Sequence, residues 1–134
     1  MNLSEYSAFG LLALRIAVGV IFLVHGKAKW AMWKMQSSEQ MKPGMINLLR
    51  FLSIAEPLGG LAVLLGFLTP LAALGLAIIM LGAIHAKISM WKVPFMTQSN
   101  TGWEFDLMIL GATVAIIFLG AGSISLDQFL WSVK

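Results

Sequence analysis

Few side chains in this sequence can carry chemistry, and those few stand in apolar surroundings: His25, Glu56, His85, Glu104 and Asp106. Imidazole and carboxylate groups exchange protons near neutral pH and hydrogen-bond to the polar head of a ligand. The two histidines come in a repeated unit, His25-Gly26-Lys27 and His85-Ala86-Lys87, each closing a long apolar run. Glu56 lies inside another such run, between Ala55 and Pro57. An ionised carboxylate there costs free energy unless a partner neutralises it. Pro57 also removes the N–H that would bind the carbonyl of Ser53, which favours a bend beside the carboxylate.

The elements that must position these groups follow from composition. The chain has 134 residues, 59% hydrophobic and 11% charged, with a mean hydropathy of +0.87. Soluble domains carry about 25% charged residues, so the chain reads as an integral membrane protein. It contains no cysteine, which excludes disulfides, thiol redox chemistry and thiolate metal sites. The net charge of +3 points to membrane orientation rather than to nucleic acid. The start, Met1-Asn2-Leu3-Ser4-Glu5-Tyr6, has no basic region and no cleavage site follows it, so the first apolar run is expected to be retained as a span.

Four windows are long and apolar enough to cross a bilayer, about 9–29, 48–68, 71–91 and 103–120. The expected fold is all-α: a single domain over residues 1–134, with four transmembrane helices in an antiparallel bundle and an interfacial helical segment after the first. Phe67-Leu68-Thr69-Pro70 makes a tight turn between the second and third helices, with Pro70 in the first turn of the third. Lys27, Lys29, Lys34, Lys42, Arg50, Lys87 and Lys92 flank the first and third connections, whereas Lys134 and Arg15 are the basic groups toward the other side. The positive-inside rule therefore puts both connections in the cytoplasm and both termini outside, in the cell inner membrane. Trp30, Trp33, Trp91 and Trp103 form an aromatic belt on the basic side, and Tyr6 and Trp131 serve the other. Small pairs at four-residue spacing, Ala13/Ala17, Ala62/Gly66, Ala73/Ala77, Gly82/Ala86 and Gly111/Ala115, suit close helix contacts. Gly59-Gly60 reads the same way.

Depth then brings the polar groups together. At ~1.5 Å per residue, His25 and His85 each lie ~21 Å from the outer ends of their helices; Glu56 lies at ~18 Å, Glu104 at ~24 Å and Asp106 at ~21 Å. One layer near the cytoplasmic side thus receives a polar group from each helix, a candidate site for ligand binding or proton exchange. Bland alternatives stand beside it. The histidines can be interfacial, with Lys27 and Lys87 extended to the headgroups; Glu56 can pair with a Lys or His of a neighbouring helix. Thr101-Gly102-Trp103-Glu104 reads as a capping box. Arg15 and Asp127, expected on the opposite side, suit a structural ion pair tying the C-terminal segment to the bundle. The Glu-x-x-His spacing of di-metal bundles is absent, and no metal is expected.

Several stretches resemble the DoxX family of small prokaryotic membrane proteins: Leu14-Arg15 through Phe22-Leu23-Val24-His25-Gly26, Glu56-Pro57-Leu58-Gly59-Gly60 through Gly66-Phe67-Leu68-Thr69-Pro70, Gly102-Trp103-Glu104-Phe105, and Gly120-Ala121-Gly122-Ser123-Ile124-Ser125-Leu126-Asp127. They run in the family's order over nearly the whole chain. The resemblance implies a four-helix membrane bundle and a link to quinone-dependent oxidoreductase systems, with Arg15, His25, Glu56 and Glu104 matching the family's polar pattern. The chain departs in having Pro70 where a basic residue is often found, and in its longer first connection.

The resulting expectation is a membrane subunit of a redox system that binds a quinone or similar amphiphile at His25, Glu56 and His85, with electrons from a redox partner protein or an unrecognised cofactor. The rival is a non-catalytic bundle that binds lipid or amphiphiles, or anchors a partner through its basic face.

Overall fold

The computed structural model describes residues 3–131. It contains α1 (Leu3–Ala28), α2 (Pro43–Leu65), α3 (Thr69–His85), α4 (Trp103–Leu119) and a short α5 (Leu126–Trp131). A 3₁₀ turn, Lys29–Trp33, extends α1, and a π-helical turn, Ala86–Met90, extends α3. Lys134 lies outside the described residues. Among the described residues, three helical stretches are long and apolar enough to cross a membrane: Tyr6–Trp33, Pro43–Leu65 and Thr69–Met90. With 17 residues, α4 spans ~25 Å, at the short end of what a bilayer core of ~30 Å requires.

The first four helices form an antiparallel bundle in which α1 packs along α2 and α3 along α4; contacts of α2 with α3 and of α1 with α4 close the ring. Its centre is Val18, Phe22, Val63, Leu76, Met80, Ile109 and Ile116. The outside is equally apolar, with Phe51, Leu58, Leu71, Ile78, Met108 and Phe118 exposed. An exterior of this kind suits lipid contact.

Apolar side chains gain little by leaving lipid for one another, so backbone approach has to hold the helices. The α1–α2 seam does this at two places. A Cβ on Gly60 would stand 2.9 Å from the carbonyl oxygen of Gly19, and one on Gly26 would stand 2.2 Å from the Pro57 ring. Gly59 turns instead toward Leu76 of α3, so adjacent glycines serve different neighbours. Of the small pairs read from sequence, Ala73 and Ala77 are buried. Ala13 and Ala17 are exposed, and a Cβ at Gly82 or Gly111 would meet nothing. Spacing alone could not separate small residues in a seam from small residues facing outward.

The α2–α3 turn is sharp. Gly66 ends α2 at φ 70°, where the Phe67 amide returns to the Ala62 carbonyl. Leu68 follows at φ 46°, a left-handed conformation that disfavours a branched side chain. Pro70 takes its place in the first turn of α3.

Candidate functional site

Polar side chains collect at both ends of the bundle, and the two collections differ in kind. At the end holding the α2–α3 turn, Arg15 is 1% exposed. Its Nε donates to the Val63 carbonyl at 2.9 Å and its Nη2 to the Leu64 carbonyl at 3.0 Å. These carbonyls belong to the last turn of α2, where helix geometry leaves acceptors without partners and favours a cation. Nη1 donates to the carbonyls of Ala121 and, at 2.8 Å, Ile124. Asp127 does the converse for α3: it accepts from the Leu68 amide at 2.7 Å and the Thr69 amide at 2.9 Å. Its own amide donates to the Gly66 carbonyl at 2.7 Å.

The expected Arg15–Asp127 ion pair is therefore replaced, among the described residues, by two backbone clasps on either side of one turn. Both tie residues 120–127 to the bundle. The helix ends present open backbone groups that each charge satisfies better than direct pairing would. A cavity of about 650 Å³ adjoins this end, lined by Pro70, Leu71, Ser123, Asp127 and Trp131 among others.

The other end carries the basic connections. Glu56, 2% exposed, holds Lys29 Nζ at 2.6 Å. Asp106, 5% exposed, stands 2.6 Å from Lys87 Nζ. Lys87 also donates to the carbonyls of Thr101 and Gly102 at 3.3 and 3.2 Å. Each tightly packed helix pair, α1–α2 and α3–α4, thus contributes one ion pair. His25 is half-buried between them: Lys29, Glu56, Asp106 and Lys87 all act electrostatically on its ring, which rests 5.7 Å from that of Phe105. No hydrogen-bond partner reaches the ring nitrogens among the described residues. Between the two ion pairs, the His25 ring is left without a committed partner among the described residues.

The repeated His-x-Lys unit does not act as a repeat. Residues two apart on a helix differ by about 200° in direction, so one member of each unit faces the bundle and the other faces away. In the first unit His25 turns inward and Lys27 is exposed; in the second Lys87 turns inward and His85 is exposed. His85 therefore does not join His25, Glu56 and Asp106. Sequence reasoning allowed Glu56 a Lys of a neighbouring helix, as Lys29 proves to be, but did not name that lysine and gave Asp106 no partner. The signal for Lys29 was its place four residues after His25, one helical turn along the same face.

Glu104 also departs from expectation. Gly102 rather than Thr101 precedes the first turn of α4, and no side chain caps that turn. The Glu104 amide instead donates to the Phe95 carbonyl at 3.1 Å. Its Oε2 is buried without a hydrogen-bond partner, near the place a Cβ on residue 102 would occupy, so the side chain folds back under the loop. Among the described residues, no group of three or more His, Asp or Glu side chains is arranged to hold a metal ion.

Pro57 has the consequence its chemistry requires. The Ser53 carbonyl, deprived of an amide, accepts from Trp30 Nε1 at 3.2 Å, and Ser53 Oγ accepts from Trp33 Nε1 at 2.9 Å. The 3₁₀ turn after α1 is thereby latched onto α2.

An antiparallel helical membrane bundle with paired charges buried at one end and a backbone-clasping Arg and Asp at the other defines the class. The DoxX family model matches residues 10–90, and the chain belongs to that family. It is similar to "Putative oxidoreductase CatD" of Bacillus subtilis (strain 168), 32% identical over 130 residues, covering 93% of this chain and 90% of that protein. No solved structure is a significant match.

Proposed function

We propose that this chain is a membrane subunit of a quinone-linked oxidoreductase system and binds a quinone or similar amphiphile at the cluster around His25, on the cytoplasmic side of the inner membrane. The observation that carries the reading is the unpartnered, half-buried His25 ring between two ion pairs. A quinone needs a donor for its carbonyl oxygen, an apolar surface for its ring and a proton source when it is reduced. His25 supplies donor and proton, Phe105 the surface, and the tail lies against the lipid-facing helices.

Reduction of a quinone to a quinol takes two electrons and two protons. His25 passes protons to the head group and is recharged from the basic side. The electrons come from outside the chain's own side chains, from a redox partner protein or a bound cofactor, since there is no cysteine to carry them. Kinship with a protein named as a putative oxidoreductase supports this direction. The alternative, a lipid- or amphiphile-binding bundle that anchors a partner, draws on a different observation: Glu56 and Asp106 are already neutralised by lysines, as a purely structural core would require.

Solvent extraction of the purified protein, followed by chromatography, separates the two. A quinone recovered in near-equal amount to protein supports the redox reading. Recovery of phospholipid alone, together with no binding of added quinone, refutes it.

A further inference from the structure

Two grooves lie side by side where the first connection meets α2. One, about 490 Å³, is lined by Trp30, Trp33, Ser53, Ile54, Pro57 and Leu58. The polar atoms of its lining are turned inward: both indole N–H groups and the Ser53 carbonyl and hydroxyl are spent on one another or on the Arg50 carbonyl. What the groove offers to the membrane is apolar. The second, about 330 Å³, is lined by polar groups of Gln36, Ser37, Asn47 and Arg50 together with Met35, Pro43 and Ile46.

The wall between them is Trp33 with the Arg50 guanidinium 5.8 Å above its ring. Arg50 is fixed in place, donating from Nε to the Met32 carbonyl at 3.0 Å and from Nη2 to the Met35 carbonyl at 3.1 Å. Nη1 makes a long 3.5 Å contact with Asn47 Oδ1. A guanidinium has five N–H donors, so donors remain open. No carboxylate reaches Arg50 among the described residues, and Glu39, the acidic residue of this connection, forms no ion pair with it. A held, uncompensated cation beside a polar pocket, adjoining an apolar groove, matches a molecule with an anionic head and a hydrocarbon chain.

We propose that this is a site for an anionic phospholipid, its phosphate at Arg50 and one acyl chain in the groove along Trp30, Trp33 and Pro57. The site is separate from His25 and does not depend on the quinone reading. Its occupancy would brace the latch between the 3₁₀ turn and α2.

The test is native mass spectrometry of the purified full chain with equal amounts of phosphatidylglycerol and phosphatidylcholine of matched acyl chains. Wild type is expected to retain phosphatidylglycerol about fivefold over phosphatidylcholine, the preference that one basic side chain at a membrane surface supplies. R50Q removes that preference. N47D does the same while keeping the guanidinium and its carbonyl contacts, so loss of fold cannot account for both. K34Q, a nearby charge outside the pocket, leaves the preference intact, and W33A lowers retention of both lipids. Equal retention by wild type, or a preference that survives R50Q and N47D, overturns the proposal. So does loss of preference in K34Q alone, or displacement of the lipid by millimolar inorganic phosphate.

Discussion

Lys29 and Glu56 depend on one another for burial: the carboxylate side chain is 3% exposed and the ammonium side chain 23%. Removing one partner of a buried pair costs about 3–5 kcal/mol, mostly for the charge left behind. Because Lys29 can reach toward water, Glu56→Gln is expected near the lower end, about 3 kcal/mol, by denaturant titration in detergent. Adding Lys29→Met should recover more than half of that loss, since the stranded charge goes with it. Asp127 responds to pH instead. Burial works to raise its carboxyl, but the Thr69 and Leu68 amides and the Arg15 charge outweigh it and hold the group below its ordinary 3.8. A lowered carboxyl stabilises the fold while ionised. That contribution is complete above the ordinary value and is lost as pH falls through the folded one. Thermal unfolding should therefore separate wild type from Asp127→Asn by about 0.3–1 kcal/mol near neutral pH, the worth of a negative charge at a helix N-terminus, and the gap should close below pH 3.8.

Among the elements, the α1–α2 seam is the most exacting. Gly26→Ala would drive a Cβ to 2.2 Å from a rigid proline ring, and overpacking of this kind costs about 1–3 kcal/mol. Gly82→Ala, with nothing near its Cβ, should be neutral or slightly stabilising in the same assay. The contrast marks what was legible in the sequence. Apolar run lengths, the Thr69-Pro70 turn and the role of Gly59-Gly60 follow from local rules. Which small residues face a neighbour does not, because helix rotation is set by the whole bundle. The same limit decided the polar groups. Counting along helices placed Glu56 and Asp106 at a shared depth with His25, but depth says nothing of direction, and so His85 was grouped with them although it faces outward. Arg15 and Asp127 looked like partners for each other because the open backbone groups of the α2–α3 turn exist only once that turn is folded.

For the molecule as a whole, the arrangement is polarised. One end is held by charges bound to backbone, which have no freedom to titrate without loosening a turn. The other end keeps a histidine free between ion pairs, beside the basic connections and the aromatic belt. The proposed orientation puts that second end in the cytoplasm, and a reporter fused at the N-terminus should be accessible from outside the cell; one protected in the cytoplasm would reverse it. The central claim is narrower: the head of a quinone is met by His25, and His85 plays no part. Quinone titration of purified wild type, His25→Leu and His85→Leu, followed by tryptophan fluorescence, tests it directly. Loss of one buried hydrogen bond of about 1–1.5 kcal/mol predicts binding weakened roughly five- to tenfold in His25→Leu and unchanged in His85→Leu. Equal affinity in wild type and His25→Leu, or an equal loss in His85→Leu, would contradict it.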